Sequence, residues 1–249
     1  MKVLKNYLYN LSYQLLVIVL PVITTPYITR VFSSNDLGSY GYYNSIVTYF
    51  ILLATLGVAN YGTKEISGHR KEVEKTFWGI YSLQVLSTCL AVTLYIVVCL
   101  LVPSMNNPIA FILGFSLLSR GFDISWLFQG LEDFKKITAR NTMVKLLGVV
   151  SIFLFVKKPS DLYLYIILLV AYDLLGQLSM WLPAREHIRK PHLDIAYAKE
   201  HIKPVILLFL PQIAISLYIT LDRTTLGALS STKDVGIYDQ ALKLLNILL

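Results

Sequence analysis

Ionisable side chains interrupt several long apolar stretches of this sequence. Arg120 and Asp123 are three residues apart, so on a helix they would lie about one turn apart and could pair on one face. Asp173 stands alone in a later stretch, and Asp222 and Arg223 are adjacent in another. A charge at the centre of a bilayer costs at least ~2.5–3.5 kcal/mol on insertion scales. If these stretches span a membrane, each charge needs a physical reason, and these residues are the first candidates for a functional site.

The arginines suit an anionic ligand. A guanidinium group is planar and donates two hydrogen bonds at once, which matches a diphosphate better than a point charge does. Arg30, Arg120 and Arg223 are therefore candidate ligands for an anionic head group in a water-filled cavity between two halves of the protein. Asp123 would neutralise part of the charge of Arg120. The alternative is structural, with Arg120 and Asp123 forming a pair that only stabilises packing.

Asp173 and Asp222 are candidates of a second kind. A carboxylate inside the bilayer can bind a coupling ion or a proton, and both residues fall within apolar stretches. The alternative for Asp173 is a carboxyl group that forms hydrogen bonds across helices.

The residues that metal, nucleotide and hydrolase sites require are absent from the sequence or do not have the required spacing. His187, His192 and His201 lie near Glu186 and Asp194, but their spacing matches no helical or finger-like set of metal ligands. The sequence has no G-x-x-x-x-G-K-[ST] motif for ATP, no G-x-S-x-G and no H-E-x-x-H. No aspartate-x-aspartate pair is present to hold a metal–nucleotide sugar. We therefore expect a protein that is not an enzyme and uses no metal or cofactor, because transport needs only a cavity and two conformations.

The composition is that of a membrane protein. Hydrophobic residues make up 55% of the 249 residues, charged residues only 15%, and the mean hydropathy is +0.61. A soluble domain carries roughly 25% charged residues. The formal charge of +7 would suggest nucleic acid in a soluble protein, but here the basic residues fall on one side of the predicted membrane, so we expect no nucleic-acid partner.

The apolar stretches predict an all-α integral membrane protein with transmembrane helices of about 20 residues. Six of them form a predicted N-terminal lobe over residues 1–183. A basic cytoplasmic connector follows over 184–203, and residues 204–249 contain the first helices of a second lobe that the chain leaves incomplete. The predicted helices cover 6–29, 37–63, 76–102, 109–130, 141–156, 162–183 and 204–229, with an eighth that begins near 235.

The distribution of Lys and Arg predicts the orientation. Basic residues concentrate in segments that alternate correctly with a cytoplasmic N-terminus, so we expect a multi-pass membrane protein with its N-terminus in the cytoplasm. Trp126 falls about one turn from the inner end of the fourth predicted helix, which predicts an interfacial anchor. The basic residues of the inner segments are Lys2, Lys5, Lys64, Arg70, Lys71, Lys75, Lys135, Lys136, Arg140, Arg185, Arg189, Lys190, Lys199 and Lys203, and those of the outer segments are Arg30, Lys157, Lys158 and Lys233.

An internal repeat supports two lobes. The loop after the first predicted helix reads SSNDLGSY at 33–40, and the loop after the seventh reads STKDVGIY at 231–238. Both loops lie on the outer side, and each leads into an even-numbered helix. A six-helix period gives two halves of the same orientation, a parallel repeat of the kind that transporters use for alternating access. About four or five further helices would complete the second lobe.

Three segments resemble one family. The sequence DISWLFQGLEDFKKITARN at 123–141 resembles the most characteristic stretch of the bacterial oligosaccharide flippases of the polysaccharide transporter family, within the multidrug/oligosaccharidyl-lipid/polysaccharide exporter superfamily. Residues 26–67 are similar to that family's first helical hairpin, and residues 221–240 to its counterpart in the second half.

The resemblance implies two six-helix lobes around a central cavity, in a protein of the bacterial inner membrane. It also implies export of an undecaprenyl-diphosphate-linked oligosaccharide repeat unit for capsule or O-antigen. The expected partners are this lipid-linked oligosaccharide, membrane lipids and other polysaccharide assembly proteins. Two alternatives stay open: a drug/cation antiporter of the same superfamily, which would favour an acidic and aromatic cavity, and a membrane-embedded polysaccharide polymerase or ligase, which would need a large outer loop.

Overall fold

A computed structural model describes residues 2–189 and 195–248 of the chain. These residues form eleven α-helices, and two short 3-10 turns at Pro103–Met105 and Pro159–Asp161 precede α5 and α8. The helices are α1 (Lys2–Val31), α2 (Ser34–Thr55), α3 (Val58–Gly68), α4 (Val73–Leu101), α5 (Pro108–Gly121), α6 (Ser125–Gly130), α7 (Phe134–Phe155), α8 (Leu162–Ser179), α9 (Trp181–Ala184), α10 (Ile195–Leu229) and α11 (Thr232–Leu248).

The helices are those of a multi-pass membrane protein. Seven helical segments in the described parts of the chain are long and apolar enough to cross a membrane. Leucine, isoleucine, valine and phenylalanine side chains stay exposed along them, as lipid-facing surfaces require. This confirms the predicted all-α integral membrane fold. The segments are Gln14–Val31, Ser34–Gly68, Val73–Leu101, Pro108–Gly130, Phe134–Phe155, Pro159–Ala184 and His201–Leu229.

The second predicted helix is a single span but not a continuous helix. Leu56 and Gly57 have positive φ angles of 43° and 74°, which end α2 and start α3 in a new direction. The break lies against α10, where a Cβ added to Gly57 would be 3.2 Å from the backbone nitrogen of Phe209. Glycine tolerates both the backbone conformation and this close approach. The sequence at Leu56, Gly57 and Val58 contains no charged residue, so the apolar pattern carried no sign of the break.

The fourth predicted span is also broken, between α5 and α6. Gln84 of α4 reaches the break, and its Nε2 donates hydrogen bonds to the carbonyl oxygens of Arg120 (2.8 Å) and Asp123 (2.9 Å). The carboxylate of Asp123 accepts hydrogen bonds from the backbone nitrogen (3.0 Å) and hydroxyl (2.6 Å) of Ser125, at the start of α6. Side chains therefore satisfy the backbone groups that the break exposes, which non-helical backbone at membrane depth requires.

Trp126 belongs to the protein core, so the prediction of an interfacial anchor is wrong. Its side chain is only 1% exposed, and its Nε1 donates a hydrogen bond of 3.0 Å to Oε1 of Gln84. The indole stacks on Phe77 at 5.2 Å between ring centroids. It also lies over Gly62, where an added Cβ would be 2.7 Å from Cδ2 of the ring. Because the α5–α6 break turns this segment inward, the indole packs against α3 and α4 instead of reaching an interface.

The internal repeat has matching structure in its two copies. The sequence offset of 198 that aligns the two loops also maps the end of α1, Val31, onto the end of α10, Leu229, and the start of α2 onto the start of α11. The hydroxyl of Ser33 accepts a hydrogen bond from the backbone nitrogen of Asp36, and Ser231 and Asp234 repeat this cap. In both helix pairs, therefore, the end of the first helix and the capped start of the second helix correspond.

The α2–α11 crossing is a backbone contact between the two copies of the repeat. A Cβ added to Gly38 would lie 2.6 Å from the carbonyl carbon of Thr232, and one added to Gly236 would lie 2.9 Å from that of Ser34. Ser34 and Thr232 correspond under the same offset, so the two contacts are related by a local pseudo-two-fold axis. Glycines at such crossings let membrane helices approach closely.

Candidate functional site

A cavity of about 540 Å³ lies among α1, α5, α6, α7 and α8. All five helices belong to the predicted N-terminal lobe, so this cavity is inside the lobe and not between the two halves. Its volume is within the ~300–1,000 Å³ range of small-molecule sites. Five charged residues line it: Arg120, Asp123, Arg140, Lys145 and Asp173.

Arg120 pairs first with Asp173. Its Nη2 is 2.9 Å from Oδ2 of Asp173, whereas its Nη1 is 3.9 Å from Oδ2 of Asp123, the partner that the sequence predicts. Ser119 donates a second hydrogen bond, of 2.5 Å, to the same Asp173 oxygen. Asp123 is the weaker partner because it lies beyond the end of α5 and its other oxygen accepts hydrogen bonds from Ser125 at the start of α6.

The pairing bears on one of the two interpretations of Asp173. The predicted alternative, hydrogen bonding across helices, describes what the carboxylate does here, because Ser119 and Arg120 lie on α5 and Asp173 lies on α8. Ion or proton coupling at Asp173 stays a prediction. The side chains of Arg120 and Asp173 are 30% and 31% exposed, so the pair is accessible from the cavity.

Arg140 and Lys145 are cavity residues that the sequence did not assign to the site. The predicted fifth helix begins at residue 141, which placed Arg140 in the inner loop, but α7 begins at Phe134. Arg140 is therefore in the second turn of α7, and a Cβ added to Gly176 of α8 would lie 3.7 Å from its Cδ. Helical periodicity could have found it, because Arg140, Val144 and Gly148 follow at steps of four and all three line the cavity.

The cavity carries an excess of positive charge. Its three cations face two carboxylates, so its formal charge is +1 if all five groups are ionised. Nε of Arg120 is buried and has no hydrogen-bond partner among the residues that the structure describes. An arginine cannot realistically lose its proton, so its charge persists in the membrane. The positive charge is therefore in place before an anionic ligand binds, and the N–H groups of Arg120 can donate hydrogen bonds to the oxygen atoms of that ligand.

The other predicted site residues lie elsewhere. Arg223 of α10 forms an ion pair with Asp239 of α11, and its neighbour Asp222 accepts a hydrogen bond of 2.6 Å from the hydroxyl of Tyr238. Arg30 is exposed at the end of α1 and does not line the cavity. The structure brings together Arg120, Asp123 and Asp173 and separates them from Arg30, Asp222 and Arg223.

The histidines do not combine into a metal site in the part of the chain that the structure covers. Three or more His, Cys, Asp or Glu side chains nowhere cluster there as metal ligands would. His201 is buried, and its Nδ1 is 2.6 Å from the hydroxyl of Tyr61. His192 and Asp194, which the sequence places near it, lie outside the described residues.

Long apolar helices around a charged cavity define this chain as a multi-pass α-helical membrane protein. It belongs to the polysaccharide biosynthesis protein family, whose family model matches residues 3–249. This confirms the resemblance found in the three sequence segments.

Two curated relatives carry the same name. The chain is 25% identical over 236 residues to the "Putative O-antigen transporter" of Escherichia coli (strain K12), covering 92% of this chain and 57% of that protein. It is 27% identical over 145 residues to the "Putative O-antigen transporter" of Shigella dysenteriae, covering 57% of this chain and 37% of that protein. The chain thus spans about half the length or less of the curated relatives it matches. No solved structure matches it significantly.

Proposed function

We propose that the complete protein is a flippase, which exports an undecaprenyl-diphosphate-linked oligosaccharide for O-antigen or capsule polysaccharide. The observation that carries this proposal is the cation-rich cavity in a member of the polysaccharide biosynthesis family. The names of the two relatives, both O-antigen transporters, agree with it. The diphosphate is the anionic part of such a substrate, and two arginine side chains at the cavity wall offer it paired donors.

The Arg120–Asp173 pair suggests how the cavity works. Before substrate binds, Asp173 holds the guanidinium group of Arg120 in place, and the hydroxyl of Ser119 donates a hydrogen bond to the same Asp173 oxygen. An entering diphosphate competes with Asp173 for Arg120, and Nε of Arg120 offers it a further donor. Arg140 and Lys145 add charge from α7. Alternating access would then carry the bound head group across the membrane.

The drug/cation antiporter fits the cavity less well. A cationic drug would favour a net acidic wall, but the cations of this cavity outnumber its carboxylates. The polymerase or ligase fits poorly for another reason. The connections on the predicted outer side are short: 32–33, 102–107, 156–161 and 230–231. None of them offers room for acceptor and catalytic groups.

The transport experiment uses the full-length protein in a strain that lacks its O-antigen or capsule transporter. Arg120→Ala should abolish restoration of surface polysaccharide, since it removes the paired donors and leaves Asp173 without its ion-pair partner. Arg120→Lys should be impaired but not inactive, because it keeps the charge without the two-donor fork. Arg30→Ala, an exposed arginine outside the cavity, is the matched control and should restore normally. Full activity of Arg120→Ala at normal membrane level would refute the proposal.

The proposed orientation, with a cytoplasmic N-terminus in the bacterial inner membrane, has its own test. Single cysteines are placed in a background without Cys89 and Cys99, the cysteines of the chain. Cysteine at Ser67 or Thr138 should resist an impermeant thiol reagent in intact cells, whereas cysteine at Ser34 or Ser160 should react. The opposite labelling pattern would invert the topology.

A further inference from the structure

The cavity wall contains a buried acceptor that the mechanism above does not use. Gln177 of α8 is only 4% exposed and lines the cavity. Its side-chain Oε1 is buried and has no hydrogen-bond partner within residues 2–189 and 195–248. Because buried polar atoms in folded proteins are nearly always paired, an orphan oxygen on a cavity wall indicates that something in the cavity pairs with it.

Gln177 lies beside the proposed anion site. Asp173 and Gln177 are four residues apart on α8, so their side chains leave the same face of the helix about 5–6 Å apart at Cβ. Asp173 is in contact with Arg120, as described above. Asn141 of α7 lines the same cavity and adds a second amide. A ligand whose anionic group reaches Arg120 would therefore present its next chemical group to Gln177.

The chemistry of the amide oxygen restricts what that group is. An amide oxygen only accepts hydrogen bonds, so its partner must donate. The bridging diphosphate of a lipid-linked sugar has acceptor oxygens only and cannot fill this role. A sugar hydroxyl donates, and because it also accepts it can pair with the amide nitrogen as well.

We infer that Gln177, together with Asn141 in the same cavity wall, binds the sugar directly attached to the diphosphate. The cavity then has an anionic half at Arg120 and a neutral, hydroxyl-binding half one helical turn away on α8. This rests on the proposed function and adds to it that the site recognises a glycosyl diphosphate and not a diphosphate alone.

The test compares three probes of equal charge on the purified chain in lipid nanodiscs. Each is a farnesyl diphosphate whose second phosphate carries a methyl, a glucosyl or an N-acetylglucosaminyl group, and each affinity is measured by titration calorimetry. At least one sugar probe should bind about three- to tenfold more tightly than the methyl probe, the range that one neutral hydrogen bond contributes. Gln177→Leu should remove that gain and leave the affinity for the methyl probe within about twofold.

Two further variants keep the outcome clear. Gln177→Met also removes the amide group, and its unbranched side chain has a length similar to that of glutamine. It therefore provides the same test if Gln177→Leu does not fold. Gln212→Leu on α10 removes an amide outside this cavity and should keep the full sugar gain.

The inference is overturned if neither sugar probe gains over the methyl probe. It is also overturned if Gln177→Leu and Gln177→Met both keep the gain in affinity, since a water molecule would then pair with the Gln177 oxygen. A third refuting result is that folded Gln177 variants no longer bind the methyl probe. If no probe binds in a manner that depends on Arg120, the proposed function fails instead.

Discussion

The α2–α11 crossing gives a stability prediction that the structure specifies closely. In Gly38→Ala the new methyl group would lie 2.6 Å from the carbonyl carbon of Thr232 and 2.8 Å from the backbone nitrogen of Gly236. Both neighbours are backbone atoms in helices, so neither can move away as a flexible side chain would. Ordinary contact begins at 3.4 Å, and the carbonyl oxygen of Thr232 lies closer to the new methyl group than either of these atoms, so the helices must separate by well over the 0.8 Å that the carbonyl carbon alone would require.

Overpacking of this kind costs about 1–3 kcal/mol, and the rigid neighbours place this case near the upper end. For a chain of this size ~3 kcal/mol lowers the melting temperature by roughly 6–12 °C. Gly236→Ala should cause a similar loss because the repeat places it in the equivalent contact. The double variant should lose less than the sum, since the separation that admits one methyl group makes room for the other.

The assay is thermal unfolding of the purified chain in detergent, followed by intrinsic fluorescence. Gly148→Ala on α7 is the control, because its Cβ would lie 3.8 Å from the nearest atom, Cδ2 of Tyr172. That variant should be neutral or slightly stabilised by its better helix propensity. Melting temperatures of Gly38→Ala and Gly236→Ala equal to wild type would show that α2 and α11 do not cross at these glycines.

Two further predictions concern the helix break and the ion pair. Trp126→Phe should destabilise the protein by about 1–3 kcal/mol in the same thermal assay, because Oε1 of Gln84 loses its donor in the core; an unchanged melting temperature would argue against this contact. Asp173→Asn raises the formal charge of the cavity and removes the carboxylate that pairs with Arg120. The methyl-capped diphosphate probe should therefore bind about tenfold more tightly. The free energy of this gain is a fraction of the ~4 kcal/mol with which two unit charges 4 Å apart interact at an effective dielectric constant of 20. Weaker binding would mean that the carboxylate does not compete with the anion.

The span positions were predictable because they depend on local composition. Hydropathy placed the end of α10 at Leu229, and the loop motif at 231–238 marked the start of α11. Hydropathy did not predict the breaks, and the contacts at them involve residues distant in sequence: Phe209 lies against Gly57, and Gln84 binds the backbone of the α5–α6 break. A local pattern carries no information about such partners.

The candidate site was predictable only in part for the same reason. Arg120, Asp123 and Asp173 stood out because charge is rare at membrane depth, but their pairing depends on how α5 packs against α8. Arg140 was missed because a basic residue beside a predicted inner loop counts toward the positive charge that predicts the cytoplasmic side. Counting four-residue steps back from Gly148 would have extended α7 and placed Arg140 on the cavity face.

The α5–α6 break connects the stability of the fold to the proposed site. Gln84 binds the carbonyl oxygens of Arg120 and Asp123 and accepts the indole hydrogen of Trp126, so one side chain fixes both ends of the break. Were α5 to continue as a regular helix, Asp123 could no longer cap α6 through Ser125, and both of its oxygens could turn to Arg120. The break thus leaves Asp173 as the main partner of Arg120. A single carboxylate on another helix is a partner that an anionic ligand can displace, which is what the proposed function requires of the site.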